Sequence, residues 1–181
     1  MILGVDVSTS ITGFAVVDKN GKIVDIGACD LRRYKSFFEK CLQMREFTLN
    51  LSEKHCIDWV ERGVEHIYVE QPFTFFNSGG SSAKTMALLQ RFNGVVSWML
   101  YETFAREPNY VGATQARKKV GISVPRGIKA KKVVMEHLLT TDEDFKVEYT
   151  NHGNPKPVYF DMADALVIAR AGLIIEKENI S

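Results

Sequence analysis

Four carboxylates in this chain stand where carboxylates are costly. Asp161 and Asp164 lie in the run FDMADALVIA at 160–169, which is rich in Ala, Leu and Met and meets no Gly or Pro before Gly172, so it predicts a helix. Residues three apart share a helix face, so the two acids project together, beside Ala165 and Ala169, which let another element approach closely. Asp6 breaks the apolar run that opens the chain, and Glu70 ends the short apolar segment at 67–70. A buried carboxylate without a partner is costly or shifts its pKa. Taken singly, each of these acids reads as an ordinary ion-paired or surface residue. Three interrupted apolar segments in one chain point instead to a shared cation. All-oxygen ligands suit Mg²⁺ or Mn²⁺, and two such ions about 3.5–4 Å apart can activate water and stabilise the leaving oxygen of a phosphodiester. The chemistry to expect is metal-dependent phosphodiester hydrolysis.

The flanking patterns say which elements would carry these acids. Residues 2–8 alternate as a strand with Gly4, Asp6 and Ser8 on one face and Leu3, Val5 and Val7 on the other, which puts Asp6 in mid-strand. Residues 12–18 and 23–28 read as two further strands joined by an Asn20-Gly21 hairpin turn. A long amphipathic helix is expected over about 35–62, with Gly63 as its stop, followed by the strand at 67–70. An aromatic loop (73–76), a helix over about 81–104, a brief strand at 110–112, helices over 113–120 and 129–139, and a polar loop at 140–157 lead to the acidic helix. This order implies an α/β fold: a mixed five-stranded sheet flanked by helices, with the later strands parallel to the first. Asp6 and Glu70 would then come from neighbouring strands, and the last helix would lay Asp161 and Asp164 over them.

The chain has 181 residues and 45% hydrophobic content, which suits a single domain over 1–181. Cys29, Cys41 and Cys56 lack CxxC spacing, so they read as structural filler in a reducing compartment, the cytoplasm, and not as a zinc site. No stretch approaches the ~18 apolar residues of a membrane span. A net charge of +1 is uninformative in itself, but its distribution is not. Arg117, Lys118, Lys119, Arg126, Lys129, Lys131 and Lys132 fall in a tract with no acid between Glu107 and Glu136, an electrostatic footprint for phosphate backbones. Against this stands the plainer reading of a solvated helix face.

Gly4-Val5-Asp6-Val7-Ser8-Thr9-Ser10-Ile11-Thr12-Gly13-Phe14-Ala15-Val16, Val69-Glu70-Gln71-Pro72-Phe73 and Asp161-Met162-Ala163-Asp164-Ala165 resemble, in order and spacing, the three motifs of RuvC-like Holliday junction resolvases. The resemblance implies an RNase H-like fold and makes Asp6, Glu70, Asp161 and Asp164 the metal-binding catalytic acids, with two Mg²⁺ per site and Mn²⁺ as a substitute. It also implies a lysine near the scissile phosphate, for which Lys118 or Lys119 and Lys129 or Lys131 are candidates, with Lys118 and Lys129 taken as catalytic. Phe73 matches the family's junction-core aromatic, and an aromatic on a loop after a catalytic strand can gain about 1–3 kcal/mol per stacked base. A homodimer acting on four-way DNA junctions is implied as well, since paired symmetric cuts call for two equivalent sites; the helix at 81–104 is the interface candidate. Ser8 and Thr9 stand where the family has Pro-Gly, and the loop before Asp161 is longer.

The nearest alternative is a broader debranching nuclease acting on flaps, forks and three-way branches. An actin-like ATPase would share the strand Asp and the following Ser/Thr-Gly hairpin but needs two domains. A junction binder without activity would not need all four acids.

Overall fold

The alternation along the first strand decides how the layers stack. In the computed structural model, which describes residues 1–55, 63–72 and 83–180, β1 (Ile2–Asp6), β2 (Ile11–Val17) and β3 (Ile23–Asp30) form an antiparallel meander. β4 (His66–Glu70) pairs parallel with β1, and β5 (Pro108–Val111) pairs parallel with β4, giving the order β3-β2-β1-β4-β5. The mixed five-stranded sheet expected from the sequence is therefore present. Leu3 and Val5 of β1 point to a core shared with Met44 of α1 (Phe37–His55) and with Phe92, Val96 and Leu100 of α2 (Ala83–Phe104). Ile2 belongs to the opposite core, where α5 (Val158–Ile180) lies on the sheet and α3 (Ala113–Lys119) and α4 (Ala130–Thr141) pack on α5. Cys29 and Cys41 are free thiols buried on the α1/α2 side, while Cys56 lies outside the described residues.

Helix α5 rests on the backbone of the sheet. A Cβ at Gly4 would stand 2.4 Å from both the Ala165 carbonyl oxygen and the Ala169 nitrogen, and one at Gly13 would stand 2.1 Å from the Asp161 carbonyl oxygen. Further along, Gly172 of α5 leaves room for the Tyr68 ring, which a Cβ there would approach to 2.4 Å. Ala165 and Ala169 thus meet Gly4 of β1 while Asp161 meets Gly13 of β2, and these contacts set the height and register of α5.

Several boundaries differ from the sequence reading, among them β5, which runs from Pro108 to Val111 and not over 110–112. β1 ends at Asp6 and does not continue to Ser8, so Asp6 closes the strand and is not in its middle. The cause is Thr12: its hydroxyl donates to the Ser8 carbonyl at 2.9 Å and accepts from the Ser8 N–H at 3.2 Å, taking over groups that a ladder would otherwise use. α5 starts at Val158, two residues before the apolar run that announced it. β3 continues to Asp30, beyond the expected Ala28. The Asn20-Gly21 turn forms with Gly21 at φ 83°, and Asp18 accepts the N–H groups of Asn20 and Lys22. The far end of the helix expected up to 62, and the loop and helix start at 73–82, lie outside the described residues. Among the described residues no helix is long and apolar enough to cross a membrane.

Gly4→Ala should lower the unfolding free energy by about 2–3 kcal/mol, the cost of overpacking against a helix backbone that cannot yield. Gly94→Ala in α2, where an added Cβ meets nothing within 4 Å, should be neutral or stabilising by up to about 1 kcal/mol. Urea unfolding of both variants beside the parent checks the pair, and equal stability of all three would refute the close-packing account.

Candidate metal centre

Val5 lies opposite Val69 in the parallel pairing of β1 with β4. Asp6 and Glu70 each follow by one residue, so they leave the sheet side by side at the same end. By the period of two they share the face of Gly4 and Tyr68, the face that α5 covers. On the other side of β1, Asp6 pairs with Gly13, and the backbone of Asp161 sits directly over Gly13. The first turn of α5 therefore brings Asp161, and the next turn Asp164, down over Asp6 and Glu70. Asp6 is 9% exposed, and the side chains of Asp161 and Asp164 are 14% and 12% exposed. The buried Asn93 of α2 donates to the Glu70 carbonyl at 3.2 Å, which fixes the end of β4 from the opposite layer.

The electrostatics follow from this crowding. Burial first, then the negative charges of Glu70 and Asp164, push the Asp6 carboxyl well above the usual carboxylate range. Burial and the Asp164 charge push Glu70 up to about 7, and burial also raises Asp164. One ammonium answers them: Lys131 Nζ stands 2.5 Å from Asp161 Oδ1 and 3.5 Å from Asp164 Oδ2. Burial disfavours its charge, but the hydrogen bond to Asp161 and the fields of Asp6, Asp161 and Asp164 outweigh that and hold Lys131 above its ordinary pKa. Arg117 adds a weaker positive field at Glu70 and Asp164. Among the described residues no group of three or more His, Cys, Asp and Glu side chains is spaced to hold a metal ion as it stands, and the cation drawn into the cluster is Lys131. The donor set itself, carboxylate oxygens carrying more negative charge than one ammonium offsets, fits a hard divalent ion.

The expected lysines divide sharply. Lys118 and Lys129 are exposed, and no hydrogen bond or ion pair joins either to the acids among the described residues. Lys129 is the N-cap residue of α4, and Lys118 lines a surface depression with Thr114, Arg117 and Ser123. Lys119 pairs with Glu178, Lys132 pairs with Glu136, and Arg126 is exposed on the α3–α4 connection. A sequence signal for Lys131 exists: Val134, Met135 and Leu138, the buried residues of α4, lie three, four and seven positions after it, so Lys131 heads the inward stripe. Phe73 lies outside the described residues. His152 is exposed in the turn that the Tyr149–Pro155 bridge closes, with no contact to the acids.

An antiparallel meander extended by two parallel strands, with acids at the ends of β1 and β4 and on a helix crossing them, is the RNase H-like fold. Comparison with known proteins finds the same fold in junction-resolving enzymes. No family profile matches the chain. Crossover junction endodeoxyribonuclease RuvC of Aliarcobacter butzleri (strain RM4018) is 30% identical over 112 residues, which are 60% of this chain and 64% of that protein, so the match spans less than two thirds of the relative. The structure of Thermus thermophilus RuvC in complex with a Holliday junction substrate superposes with a TM-score of 0.67 at 16% identity, covering 98% of this chain and 94% of that one. The yeast mitochondrial Holliday junction resolvase Ydc2 superposes at 0.52 and 16% identity, covering 99% and 82%. Over the described residues the chain shares the fold of these proteins.

The shift at Glu70 makes stability depend on pH. Its folded pKa of about 7 lies above the ordinary carboxylate value, so the folded state holds the proton longer than the unfolded state. Stability in metal-free buffer should therefore be greatest below about pH 4.5 as far as Glu70 is concerned, and should fall as pH rises through 7. Glu70→Gln removes the penalty and should be more stable than the parent at pH 8 by about 1–2 kcal/mol. Urea unfolding in EDTA at pH 5 and pH 8 measures this, and a variant no more stable than the parent at pH 8 would refute it.

Proposed function

We propose that the chain is a metal-dependent endonuclease that resolves four-way DNA junctions by paired cuts in opposing strands. The observation that carries this reading is the convergence of Asp6, Glu70, Asp161 and Asp164 at one end of a RuvC-like sheet, Asp6 buried and the other three partly so, and incompletely neutralised. Asp6, Glu70, Asp161 and Asp164 would hold the metal, Mg²⁺ with Mn²⁺ as substitute, two ions per site. When bound, such ions lower the pKa of water and stabilise charge on phosphodiester oxygens. Lys131 offsets part of the charge of Asp161 and Asp164, and its ammonium would be placed to meet a phosphate oxygen if a metal took over those carboxylates. Arg117, Lys118, Lys119, Arg126, Lys129 and Lys132 supply the field that draws the DNA backbone towards the acids. No covalent enzyme intermediate is needed. The unit acts as one domain, 1–181, and the cytoplasm is the compartment that suits its free thiols.

Two such sites acting together call for a homodimer. The exposed apolar residues of the two helices on one sheet face support this: Phe38 (74%) and Leu42 (69%) on α1, and Trp98 (63%) with Tyr101 (46%) on α2. Leu42→Glu with Trp98→Glu should shift the mass by light scattering from dimer to monomer and replace paired cuts by single nicks. A monomeric parent protein, with and without a junction, would remove the dimer from the proposal.

The deciding experiment is cleavage of an immobile four-way junction, a Y-fork and a linear duplex in Mg²⁺. Symmetric cutting of the junction alone, with Asp161→Asn binding but reduced at least about 10³-fold in cleavage, is the expected outcome. Equal cutting of the fork would make the protein a general debranching nuclease. Binding without any cutting would make the acids structural.

A further inference from the structure

The basic tract serves one edge of the sheet, since α3 follows β5; the other edge, β3, ends in charge that nothing above uses. β3 and β5 both run parallel to β1, so their last residues, Asp30 and Val111, lie at the end of the sheet that carries the acids, on opposite sides of them. After Asp30 the chain reads Leu31-Arg32-Arg33-Tyr34-Lys35. The Leu31 N–H donates to the Ser10 carbonyl at 2.8 Å, seating this loop on the turn that follows Asp6. Lys40 of α1 donates its ammonium to the Thr9 carbonyl of the same turn at 2.5 Å. Arg32 forks onto Asp30, Nε donating to Oδ1 at 2.9 Å and Nη2 to Oδ2 at 2.5 Å, so it is held at the end of β3 that faces the acidic cluster. Arg33 lies over the Tyr34 ring, 4.8 Å from its centroid, and donates to the Tyr34 hydroxyl at 2.5 Å. Tyr34 is held in turn by Gln43.

Arg33 and Lys40 are therefore fixed by neutral partners. Neither has a carboxylate within ion-pair distance among the described residues, whereas Arg32, Lys54, Lys119, Lys131, Lys132 and Lys156 all do. Cations held in place without a counter-ion suit phosphate, because little side-chain freedom is lost on contact. Four inter-strand spacings of about 4.8 Å separate β3 from β5, roughly 19 Å. One strand of a duplex rises about 3.4 Å per phosphate, so the two edges are several phosphates apart.

We propose that Arg33 and Lys40, with Arg32 at the rim, form a second phosphate-backbone contact that holds another arm of a branched DNA, across the acids from the basic tract. The inference rests on the nuclease reading above. It is tested by fluorescence anisotropy in EDTA with a four-way junction and a linear duplex over a range of salt. The proteins compared are the parent, Arg33→Ala, Arg33→Ala with Lys40→Ala, and Arg106→Ala, the last sited ahead of β5 at the opposite end of the sheet. The double variant should bind the junction about tenfold more weakly near 0.15 M salt, lower the slope of log K against log salt by about 1.8, and change duplex binding less. Arg33→Ala alone, which leaves the Lys40 bond to Thr9 intact, should lower the slope by about 0.9. Arg106→Ala should match the parent. Parental affinity and slope in both Arg33 variants would overturn the proposal, as would equal weakening on junction and duplex. A parent protein that binds no junction at all would overturn the nuclease reading itself, a result visible before any substitution is compared.

Discussion

The repulsion among crowded, largely shielded carboxylates is the constraint to which the rest of the molecule answers. Two acids end adjacent parallel strands and two more descend from a helix, so like charges are forced together in a site with little water. The packing must hold that helix down against the repulsion, and it does so with backbone-to-backbone contact: Gly4 and Gly13 admit the Asp161 to Ala169 segment of α5 closer than any side chain would allow. α3 and α4 then cover α5 from outside, and the inward stripe of α4 begins with the one ammonium that reaches the acids. Cation and carboxylates are thus delivered by the same packing arrangement.

This explains how the protein tolerates its own site before any metal arrives. Lys131 pairs with Asp161 and approaches Asp164, while Asp6 and Glu70 relieve their charge by holding protons more tightly. A hard divalent ion would offer more charge than the ammonium and more coordination directions, so on the proposed reading its binding would relieve the crowding of the acids.

Much of this was legible in the residues. The period-two pattern of β1, the Asn20-Gly21 turn and the small-residue face of α5 each have one natural reading, and together they imply the strand order around the acids. What escaped the sequence depends on contacts between distant segments. Asp6 looked like a mid-strand residue because nothing local reveals that the Thr12 hydroxyl captures Ser8 and ends the strand. Lys118 and Lys129 looked as eligible as Lys131 because a run of lysines does not declare its helical phase until the buried residues of α4 are counted from it. The Arg32-Arg33 pair carries no sequence signal of its own, and it is the bond from Leu31 to Ser10 that brings it to the turn beside Asp6.

The placement of two acids on α5 has a consequence for the chain as it is made. A ribosome releases Asp6 and Glu70 early, but Asp161 and Asp164 emerge only with the final helix, after the sheet they cover has been synthesised. A chain made only as far as α4 therefore holds two of the four carboxylates, Asp6 and Glu70, and lacks the cluster. On the proposed reading, docking of α5 onto the sheet is the step that completes the site.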